Sequence, residues 1–377
     1  MTLIPPGSTI GILGGGQLGR MMALAARPMG YRTAVLEPST GSPAGQVSDV
    51  EVEGAYDDRS AAEELSSHCS VLTYEFENID AETASFLERS MYLPQGGALL
   101  QTTQHRLREK QAIQDAGVPV APYRPVTDYE SLETAVEAIG LPAVLKTCRG
   151  GYDGKGQEVL RKETDLQEAY SRLAEKNPAD FVLEAWIPFQ KEISVIITRS
   201  TTGETAVFPV GENIHENNIL HQTIVPARIS GNLAEKAYAV AENLAGHLEL
   251  VGTLAIEMFV IDEETLYVNE VAPRPHNSGH YTIEACETSQ FEQHIRAVCG
   301  LPLGPTGLLK PVVMTNILGQ HVEPVMNGLQ DFAKEHIHLY GKAESRPGRK
   351  MGHWTVLRDS VEQAIEDSNN VWNTYIK

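Results

Sequence analysis

The chain has 377 residues, of which 42% are hydrophobic and 21% charged, and its formal net charge is −20. A globular chain of this length predicts two or three domains, and so acidic a chain is not expected to bind nucleic acid phosphates. It contains no run of about 18 apolar residues, so no membrane-spanning helix is expected. Any phosphorylated ligand must therefore meet locally concentrated positive charge.

The N-terminus and the cysteines indicate the compartment. The first residues lack the basic stretch, apolar run and small-residue cleavage site of a signal peptide. The cysteines, Cys69, Cys148, Cys286 and Cys299, form no C-x-x-C pair. Sparse cysteines without such spacing are typical of reduced thiols, so we expect a cytoplasmic protein.

The first part of the chain alternates predicted strands and helices. Strands are expected at residues 8–13, 31–37 and 71–76, and helices from residue 17 to about 29 and at 81–90. This β-α-β-α-β order predicts a parallel, doubly wound sheet, in a first domain that ends near residue 100.

The remainder of the chain mixes helices and strands without internal repeats. Helices are expected at 104–116, 235–248 and 282–298, and strands at 141–147, 157–160, 181–187, 192–198, 205–210, 254–260 and 265–271. Together with the first domain, this pattern indicates an α/β and α+β protein.

A glycine turn follows the first predicted strand and opens the first helix. Its sequence, Gly14-Gly-Gly-Gln-Leu-Gly19, satisfies G-x-G-x-x-G, and Glu37 ends the next predicted strand. This is nearly the dinucleotide-binding pattern, because glycines admit a phosphate closely and the helix start supplies N–H donors. Three interpretations stay open: an NAD site, a site for another phosphorylated ligand, or a tight turn without a ligand.

A second glycine-rich loop lies between two predicted strands. Lys146 ends the first strand, and Arg149-Gly-Gly-Tyr-Asp-Gly-Lys-Gly156 follows. A P-loop would open a helix, so the pattern instead predicts a hairpin that folds over a nucleoside triphosphate. Lys146 would reach the phosphates as a point charge. The alternative is a flexible surface hairpin with solvated charges.

Two glutamates interrupt neighbouring apolar strands. Glu257 lies in the run 254–260 and Glu270 in the run 265–271, with a short acidic turn between them. Facing carboxylates repel each other unless a cation lies between them, and Mg²⁺ prefers such oxygen ligands. The pair therefore predicts a magnesium site, to which Asn269 contributes only at a bend or strand end. The alternative is an edge hairpin with both glutamates in solvent.

A proline-stiffened loop, Ala272-Pro-Arg-Pro-His-Asn-Ser-Gly-His280, leaves the Glu270 strand at once. The loop places Arg274 and His276 near the predicted metal. A guanidinium group matches a carboxylate or bicarbonate and stabilises a transferring phosphoryl group. A structural turn with surface charges is the alternative.

Basic residues cluster late in this acidic chain. Arg346, Arg349 and Lys350 follow Lys342 closely. Such a cluster predicts a phosphate site, although a solvated basic loop is the usual outcome for a run of like charges.

Taken together, these motifs resemble the ATP-grasp superfamily and, within it, the N5-carboxyaminoimidazole ribonucleotide synthetase family. The resemblance rests on five segments in family order: Gly11-Ile-Leu-Gly-Gly-Gly-Gln-Leu-Gly-Arg20, Thr73-Tyr-Glu-Phe-Glu-Asn78, Arg149-Gly-Gly-Tyr-Asp-Gly-Lys-Gly-Gln157, Asn269-Glu-Val-Ala-Pro-Arg-Pro-His-Asn-Ser-Gly-His280 and Lys350-Met-Gly-His353. These segments span nearly the whole chain, and their combination is far more specific than any one of them.

The resemblance implies three domains: a doubly wound domain at 1–100, a lid with the glycine hairpin at 101–182, and a large ATP-grasp domain at 183–377. It implies a homodimer, with small molecules as the other partners. It also implies that ATP and bicarbonate form carboxyphosphate, which carboxylates the exocyclic amine of 5-aminoimidazole ribonucleotide in purine biosynthesis.

The resemblance further implies roles for individual residues, named here by their numbers in this chain. ATP is expected against Arg106, Lys146, Gly151, Tyr152, Asp153, Gly154, Lys155, Gly156, Gln157, Glu184, Ala185, Trp186, Ile187, Glu192, His215, Asn269 and Glu270. Magnesium, or manganese in its place, is expected on Glu257 and Glu270. The ribonucleotide is expected against Gln17, Leu18, Glu75, Tyr152, Asp153, Asn277, Lys342, Arg349 and Lys350. Catalysis is expected from Arg274, His276, Asn277 and Lys350. The adenine edge is expected on the backbone of residues 184–187, and the ribose hydroxyls on Glu192.

Three other functions compete with this one. A formate-dependent glycinamide ribonucleotide transformylase shares the glycine loop, the paired glutamates and the Pro-Arg-Pro-His run, but resembles this chain less after His276. A nicotinamide dehydrogenase needs neither the second glycine loop nor the paired carboxylates. A non-catalytic nucleotide-binding regulator would not need the full set of charged ATP and metal positions.

Overall fold

The computed structural model describes residues 2–151, 154–176 and 180–376. Across these residues the strands form three sheets, one in each successive part of the chain. Within the same ranges, no helix is both long and apolar enough to cross a membrane.

The first sheet is parallel and has the strand order β3-β2-β1-β4. Its strands are β1 (Thr9–Leu13), β2 (Arg32–Glu37), β3 (Val50–Glu53) and β4 (Val71–Tyr74). The helices of this region are α1 (Gln17–Ala26), α2 (Arg59–Ser67), α3 (Ala81–Ser90), α4 (Gly97–Thr103) and α5 (Arg106–Asp115). The chain adds β2 and β3 on one side of β1 and then crosses over to add β4 on the other side. This is the doubly wound arrangement predicted from the sequence.

The second sheet is small and antiparallel, with the strand order β5-β8-β6-β7. Its strands are β5 (Tyr123–Val126), β6 (Ala143–Thr147), β7 (Gln157–Leu160) and β8 (Phe181–Ala185). Helices α6 (Tyr129–Ile139) and α7 (Leu166–Lys176) pack on it.

The third sheet has the strand order β14-β13-β9-β11-β12-β15-β17-β16, with β10 paired to β9. Its strands are β9 (Lys191–Arg199), β10 (Thr205–Val207), β11 (Gly211–Glu216), β12 (Ile219–Val225), β13 (Gly252–Val260), β14 (Leu266–Ala272), β15 (Val312–Leu318), β16 (His336–Leu339) and β17 (Lys350–Leu357). The helices of this region are α8 (Gly231–His247), α9 (Thr282–Ala285), α10 (Gln290–Val298), α11 (Val322–Asn327) and α12 (Val361–Tyr375).

Helix α8 shows how the sequence builds this layer. The Ser230 side chain accepts a hydrogen bond from the Leu233 N–H at 3.3 Å and so caps the helix start. Leu233, Ala237, Ala241 and Leu244 recur at helical spacing and are buried in one apolar cluster with side chains of β9 and β13. The helix therefore covers one face of the third sheet.

Most predicted elements are present within a few residues of their expected bounds, but one prediction is wrong. The helix expected at 282–298 is divided into α9 and α10, because the Ser289 side chain caps a new helix at the Glu292 N–H at 3.1 Å. The helix expected at 104–116 begins later, at Arg106. The sequence analysis also did not identify the β11–β12 hairpin or the strands and helices after residue 300.

Candidate active site

A cavity of about 580 Å³ lies where the three sheets meet. Glu77, Thr103 and Gln104 line it from the first region, β6 and its loop from the second, and β13, β14 and the loop after them from the third. The predicted residues that line it are Arg106, Lys146, Gly151, Gly154, Lys155, Gln157, Glu184, Ala185, Trp186, Ile187, Glu192, His215, Glu257, Asn269, Glu270, Arg274, His276, Asn277 and Lys350. Residues that lie far apart in the sequence therefore surround one space.

The second glycine loop is a hairpin, as predicted. Strands β6 and β7 pair antiparallel with Lys146 opposite Gln157, and the Thr147 N–H donates to the Gly156 oxygen at 2.8 Å. Lys146 stands at the strand end that faces the cavity. Tyr152 and Asp153, which were predicted to contact both ATP and the ribonucleotide, lie outside the described residues. Gly156 is not part of the cavity lining.

The carboxylate of Glu184 lies between two lysines. The Lys146 ammonium donates to Glu184 Oε2 at 2.9 Å, and the Lys110 ammonium lies 3.2 Å from Oε1. Burial alone would raise the pKa of Glu184, but the two ammonium groups outweigh it and hold the pKa at about 2. A direct role of the Glu184 side chain toward ATP is therefore a prediction that its geometry does not favour, since both carboxylate oxygens face lysines.

The backbone of residues 184–187 differs from the expected free strand edge. Strand β8 pairs on both sides and ends at Ala185, and the N–H groups of Ala185 and Trp186 donate to Pro122 and Pro142 at 2.8 and 3.2 Å. Among the described residues, the N–H of Ile187 has no acceptor. A purine edge can therefore pair with this segment only where β8 has ended.

Aromatic side chains flank that segment of the cavity. The rings of Phe189 and Phe259 stack with centroids 4.5 Å apart, and both residues line the cavity. Trp186 remains 40% exposed, and the Arg161 guanidinium lies 5.5 Å from its ring centre. Flat apolar surface beside an unpaired N–H is a suitable environment for a nucleotide base.

The paired carboxylates face each other across a β-bulge. In the β13–β14 pair, Glu257 lies opposite Glu270 while Met258 lies opposite Val268, so Asn269 is the extra residue of β14. A bulge turns two consecutive side chains toward one face, which an ideal strand cannot do. This is the bend that the sequence analysis required, and Asn269 and Glu270 both line the cavity.

The charges around the pair fit a divalent cation. Burial and, next to it, the facing Glu270 carboxylate raise the pKa of Glu257 to about 7, while the Arg106 guanidinium lies 3.3 Å from Glu270 Oε2. Over the described ranges, no group of three or more His, Cys, Asp or Glu side chains forms a protein-only metal site. Two carboxylates on an open cavity match Mg²⁺, which takes one or two protein carboxylates and completes its coordination with phosphates and water.

Glu192 and His215 form a second charged pair in the cavity. The His215 Nδ1 lies 3.3 Å from Glu192 Oε2. Burial lowers the pKa of His215, but the Glu192 carboxylate outweighs that effect and raises it above the ordinary value. The Glu192 carboxylate lines the cavity, and its contact with ribose hydroxyls stays a prediction.

The loop after β14 fixes His276 beside Glu257 on β13. The His276 Nδ1 lies 2.9 Å from the Ser278 hydroxyl, and its Nε2 lies 3.7 Å from Glu257 Oε1. The Gln290 amide pairs with the His276 N–H and oxygen at 2.9 and 2.7 Å, which holds the loop. Burial lowers the pKa of His276 well below its ordinary value, so the ring is neutral.

Arg274 faces the first region of the chain. Its Nε lies 2.5 Å from Glu77 Oε2, and its Nη1 donates to the Pro275 oxygen at 3.2 Å. Burial would raise the pKa of Glu77, but the Arg274 guanidinium outweighs it and lowers the pKa. The guanidinium thus lines the cavity with one edge anchored to a carboxylate.

Asn277 lines the cavity, and its side-chain amide is paired within the protein. Its amide donates to Asn316 Oδ1 at 3.0 Å and accepts from Asn316 Nδ2 at 2.6 Å, and only 7% of the residue is exposed. The reciprocal amide pair joins the loop to β15. The geometry therefore assigns Asn277 first to holding the loop.

The first glycine turn is occupied by a carboxylate of the protein itself. Glu75 accepts hydrogen bonds from the N–H groups of Gly16 and, at 2.6 Å, Gly19, while Glu37 accepts from the Gly15 N–H at 2.8 Å. A dinucleotide pyrophosphate would need those donors, which disfavours the NAD interpretation. The contact of Glu75 with the ribonucleotide stays a prediction, and its buried carboxylate already accepts two hydrogen bonds from the turn.

Two N–H groups of the same turn remain available. The Gln17 and Leu18 N–H groups at the start of α1 have no acceptor among the described residues. The Leu18 side chain does not face a ligand, because it packs in the apolar core of the first region. A contact of Leu18 with substrate can therefore come only from its backbone.

The basic loop near the end of the chain reaches this turn. The Lys342 ammonium donates to Gln17 Oε1 at 2.5 Å and to the Lys350 oxygen at 2.7 Å, and Lys350 lines the cavity. Arg349 is exposed, and its Nη1 donates to the Glu344 oxygen at 3.0 Å. The structure thus brings Gln17, Lys342 and Lys350 together, with Arg349 at the rim.

Sequence reasoning does not identify Glu77, Glu109 and Lys110. Glu109 accepts a hydrogen bond from the Val271 N–H at 2.6 Å, and burial raises its pKa to about 7. A signal was present, because Arg106, Glu109 and Lys110 recur at spacings of three and four and share one face of α5. The charged face of α5 points into the protein, where Arg106 and Lys110 meet the carboxylates of Glu270 and Glu184.

Models of three protein families match this chain. The ribonucleotide synthetase preATP-grasp domain matches residues 7–104, the ATP-grasp domain matches residues 111–291, and the phosphoribosylaminoimidazole carboxylase C-terminal domain matches residues 312–367. The matches follow one another along the chain from its first region to its last.

Relatives and solved structures agree with these matches. The N5-carboxyaminoimidazole ribonucleotide synthase of Bacillus subtilis (strain 168) is 52% identical over 370 residues, covering 98% of this chain and 97% of that protein. A solved ADP complex of an N5-carboxyaminoimidazole ribonucleotide synthetase is 56% identical with a TM-score of 0.95, covering 100% of both chains. The Aspergillus clavatus N5-carboxyaminoimidazole synthase, solved with ADP and 5-aminoimidazole ribonucleotide, is 30% identical with a TM-score of 0.90, covering 97% of this chain and 98% of that one. This chain therefore belongs to the N5-carboxyaminoimidazole ribonucleotide synthetase family of ATP-grasp enzymes.

Proposed function

We propose that the cavity between the three sheets is the place where this enzyme assembles its reactants. The chain is an ATP-dependent carbon–nitrogen ligase that carboxylates 5-aminoimidazole ribonucleotide to N5-carboxyaminoimidazole ribonucleotide with ATP and bicarbonate. The observation that carries the placement is the single cavity that joins the glycine hairpin to the paired carboxylates.

ATP lies between the hairpin and β14 in this proposal. Lys146 and Arg106 supply positive charge to the phosphates, and the N–H groups of the hairpin contact their oxygens. The base stacks near Phe189 and pairs with the free N–H of Ile187. Glu192 accepts from the ribose hydroxyls.

Glu257 and Glu270 hold Mg²⁺, with Asn269 beside them on the bulge. When bound there, the cation would neutralise the negative charge that builds up on the phosphates during phosphoryl transfer. The largely buried Glu257 carboxylate, whose side chain is 16% exposed, supports this placement, because its charge is costly without a cation.

Bicarbonate lies beside Arg274, His276 and Lys350. Its oxygen attacks the terminal phosphorus of ATP, and ADP leaves. The amine nitrogen of the ribonucleotide then bonds to the carboxyl carbon of the carboxyphosphate, the bond from that carbon to the phosphate oxygen breaks, inorganic phosphate leaves, and the amine loses one proton. Arg274 and Lys350 stabilise the negative charge during both steps. The neutral His276 ring donates from Nε2 without adding a charge.

The ribonucleotide lies between this point and the start of α1. Its phosphate meets the N–H groups of Gln17 and Leu18 and the ammonium of Lys342, where a helix start and a cation act together. Arg349 adds charge at the rim. The carboxyl acceptor then points toward Lys350.

The proposal retains three domains divided near residues 100 and 182, a homodimer and a cytoplasmic location. Free thiols at all four cysteines support a reducing compartment. Sedimentation of the purified chain tests the dimer against the 41.2 kDa of one chain.

One coupled assay tests the function. ADP release is measured with ATP, Mg²⁺ and either bicarbonate or formate, each with 5-aminoimidazole ribonucleotide or glycinamide ribonucleotide. Release that needs both bicarbonate and the aminoimidazole supports the assignment. Release that needs formate and glycinamide ribonucleotide would replace it with the transformylase activity.

A further inference from the structure

We propose that Lys110 is a positioning residue of the ATP site, which neutralises Glu184 and leaves the charge of Lys146 available to the nucleotide phosphates. Lys110 lies behind the cavity and does not line it. The inference rests on the proposed placement of ATP against Lys146.

The geometry is a row of three charges. Glu184 presents Oε2 to the Lys146 ammonium at 2.9 Å and Oε1 to the Lys110 ammonium at 3.2 Å. Lys110 is 0% exposed, whereas the Lys146 side chain keeps 11% exposure at the cavity. Lys146 is thus the outer charge and Lys110 the inner one.

Counting charges shows what the inner lysine changes. A Lys146–Glu184 pair alone has no net charge, so the carboxylate would cancel most of the attraction of Lys146 for a phosphate. With Lys110 the row carries one net positive charge, and that charge is nearest the cavity at Lys146. The effect of Lys110 on the attraction between Lys146 and a phosphate is large, because buried charges are screened little by water.

Lys110 also connects the row to the magnesium strand. Its ammonium lies 3.5 Å from the Asn269 oxygen on the β14 bulge and 5.9 Å from the centre of the Tyr123 ring on β5. Three elements therefore meet at one ammonium group: α5, the small sheet, and the bulge beside Glu270. The same contacts hold Lys146, which faces the phosphates, in a fixed position relative to Glu270, the proposed metal ligand.

Packing alone does not explain a lysine at this position. A fully buried ammonium group is costly to desolvate, and buried ion pairs can often be replaced by apolar side chains without loss of stability. A methionine of similar length would fill the same space. The charge itself is therefore the property that the site uses.

The test uses the full-length enzyme and three variants: Lys110→Met, Glu184→Gln, and the double variant. ATP affinity is measured by calorimetry in the presence of Mg²⁺, and the KM for each substrate is measured separately. Lys110→Met should weaken ATP binding about tenfold or more and leave the KM for the ribonucleotide unchanged, because a phosphate contact depends on net charge.

The double variant separates charge from packing. It restores one net positive charge, and the amide oxygen introduced by Glu184→Gln still accepts from Lys146, so its ATP affinity should return to within about threefold of wild type. Lys110→Arg keeps the charge and should also retain affinity. If the double variant binds ATP as weakly as Lys110→Met, the row acts through packing and the proposal is overturned.

Two further outcomes are decisive. Unchanged affinity in Lys110→Met would overturn the inference while leaving the proposed function intact. Unchanged affinity in Lys146→Met would instead overturn the placement of ATP. If Lys110→Met does not fold, the double variant still decides, because neither position 110 nor position 184 then carries a charge that needs a partner.

Discussion

The Lys342 ammonium lies 2.5 Å from the side-chain oxygen of Gln17, although 325 positions separate the two residues. The same ammonium binds the Lys350 oxygen at 2.7 Å, so the turn before α1 and the basic loop meet at one point. One helix start, whose Gln17 and Leu18 N–H groups have no acceptor in the described part of the chain, therefore faces one ammonium group. Lys350 lines the cavity, whereas Gln17 and Lys342 stand just outside its lining.

Lys342→Met should raise the KM for the aminoimidazole ribonucleotide about ten- to a hundredfold, because a charge-assisted phosphate contact contributes roughly 1.5–3 kcal/mol. The KM for ATP should barely change. Steady-state kinetics with each substrate varied separately checks both values. Lys310→Met, an exposed lysine paired with Asp359, is the control. An unchanged ribonucleotide KM in Lys342→Met would remove the phosphate from this point.

Arg349→Ala should produce a smaller rise in the ribonucleotide KM with an unchanged kcat, since Arg349 is exposed at the rim. Lys350→Ala should lower kcat as well, because Lys350 lines the cavity beside the proposed bicarbonate. The ratio of ADP released to ribonucleotide carboxylated shows whether Lys350→Ala uncouples the two steps. Equal effects of both variants on kcat would contradict the separate roles.

Glu257→Gln and Glu270→Gln should each abolish most turnover while leaving the fold intact, because each removes an anionic ligand of Mg²⁺. The measurement is the rate as a function of Mg²⁺ concentration, with circular dichroism as the check on folding. Glu263→Gln is the matched control, because it lies in the exposed turn of the same hairpin. Near wild-type rates at limiting Mg²⁺ in either variant would show that the carboxylates do not hold the metal.

The Glu257–Glu270 pair shows how far sequence reasoning reaches. Two short apolar runs with a turn between them predict adjacent antiparallel strands, and the register confirms that the two carboxylates face each other. The bulge at Asn269 could not be predicted, because one extra residue in a strand leaves no periodic signal. On its other side β13 pairs with β9.

Glu75 and Asn277 show what sequence reasoning cannot reveal about a buried polar group. Both stand in motifs typical of a ligand site, and both have buried polar groups satisfied by the protein, Glu75 by the glycine turn and Asn277 by Asn316. A buried polar group needs a partner, but the sequence does not reveal whether that partner is a ligand or another side chain. The start of α10 could have been predicted, because Ser289 followed three residues later by Glu292 is a capping signal.

Gly154→Ala should raise the KM for ATP more than Gly150→Ala. Both glycines have a positive φ, of +76° and +72°, so either change strains the backbone by about 1–2 kcal/mol. A side chain at Gly154 would also approach Asn218 to 2.7 Å, whereas at Gly150 nothing lies within 4 Å. Asn218→Gly should remove the difference between the two variants. Equal KM values for Gly154→Ala and Gly150→Ala in the presence of Asn218 would show that the hairpin does not depend on the Asn218 contact.

A buried histidine connects the first region to the loop that carries Arg274. The Thr253 N–H donates to His294 Nδ1 at 3.1 Å, so Nε2 carries the proton and faces the Thr73 hydroxyl at 2.7 Å. The Thr73 hydroxyl donates to Gln95 Oε1 at 2.5 Å, and the Gln95 amide donates to the Pro273 oxygen at 3.2 Å. This chain of hydrogen bonds requires a neutral His294, because Nδ1 must accept from Thr253 while Nε2 donates to Thr73.

His294→Gln should therefore flatten the dependence of stability on pH. Burial lowers the pKa of His294 from 6.5 to about 3, so between these values the unfolded chain binds a proton that the folded chain does not. The free energy of unfolding consequently rises with pH through this window and falls on acidification, by at most about 1.4 kcal/mol per pH unit from this group. Urea unfolding at a series of pH values between about 4 and 7 measures the slope for wild type and variant. The glutamine side chain keeps an acceptor for Thr253 and a donor for Thr73, and His68→Gln, at an exposed position, is the control. A slope in His294→Gln as steep as in wild type would show that this histidine is not the group that destabilises the fold in acid.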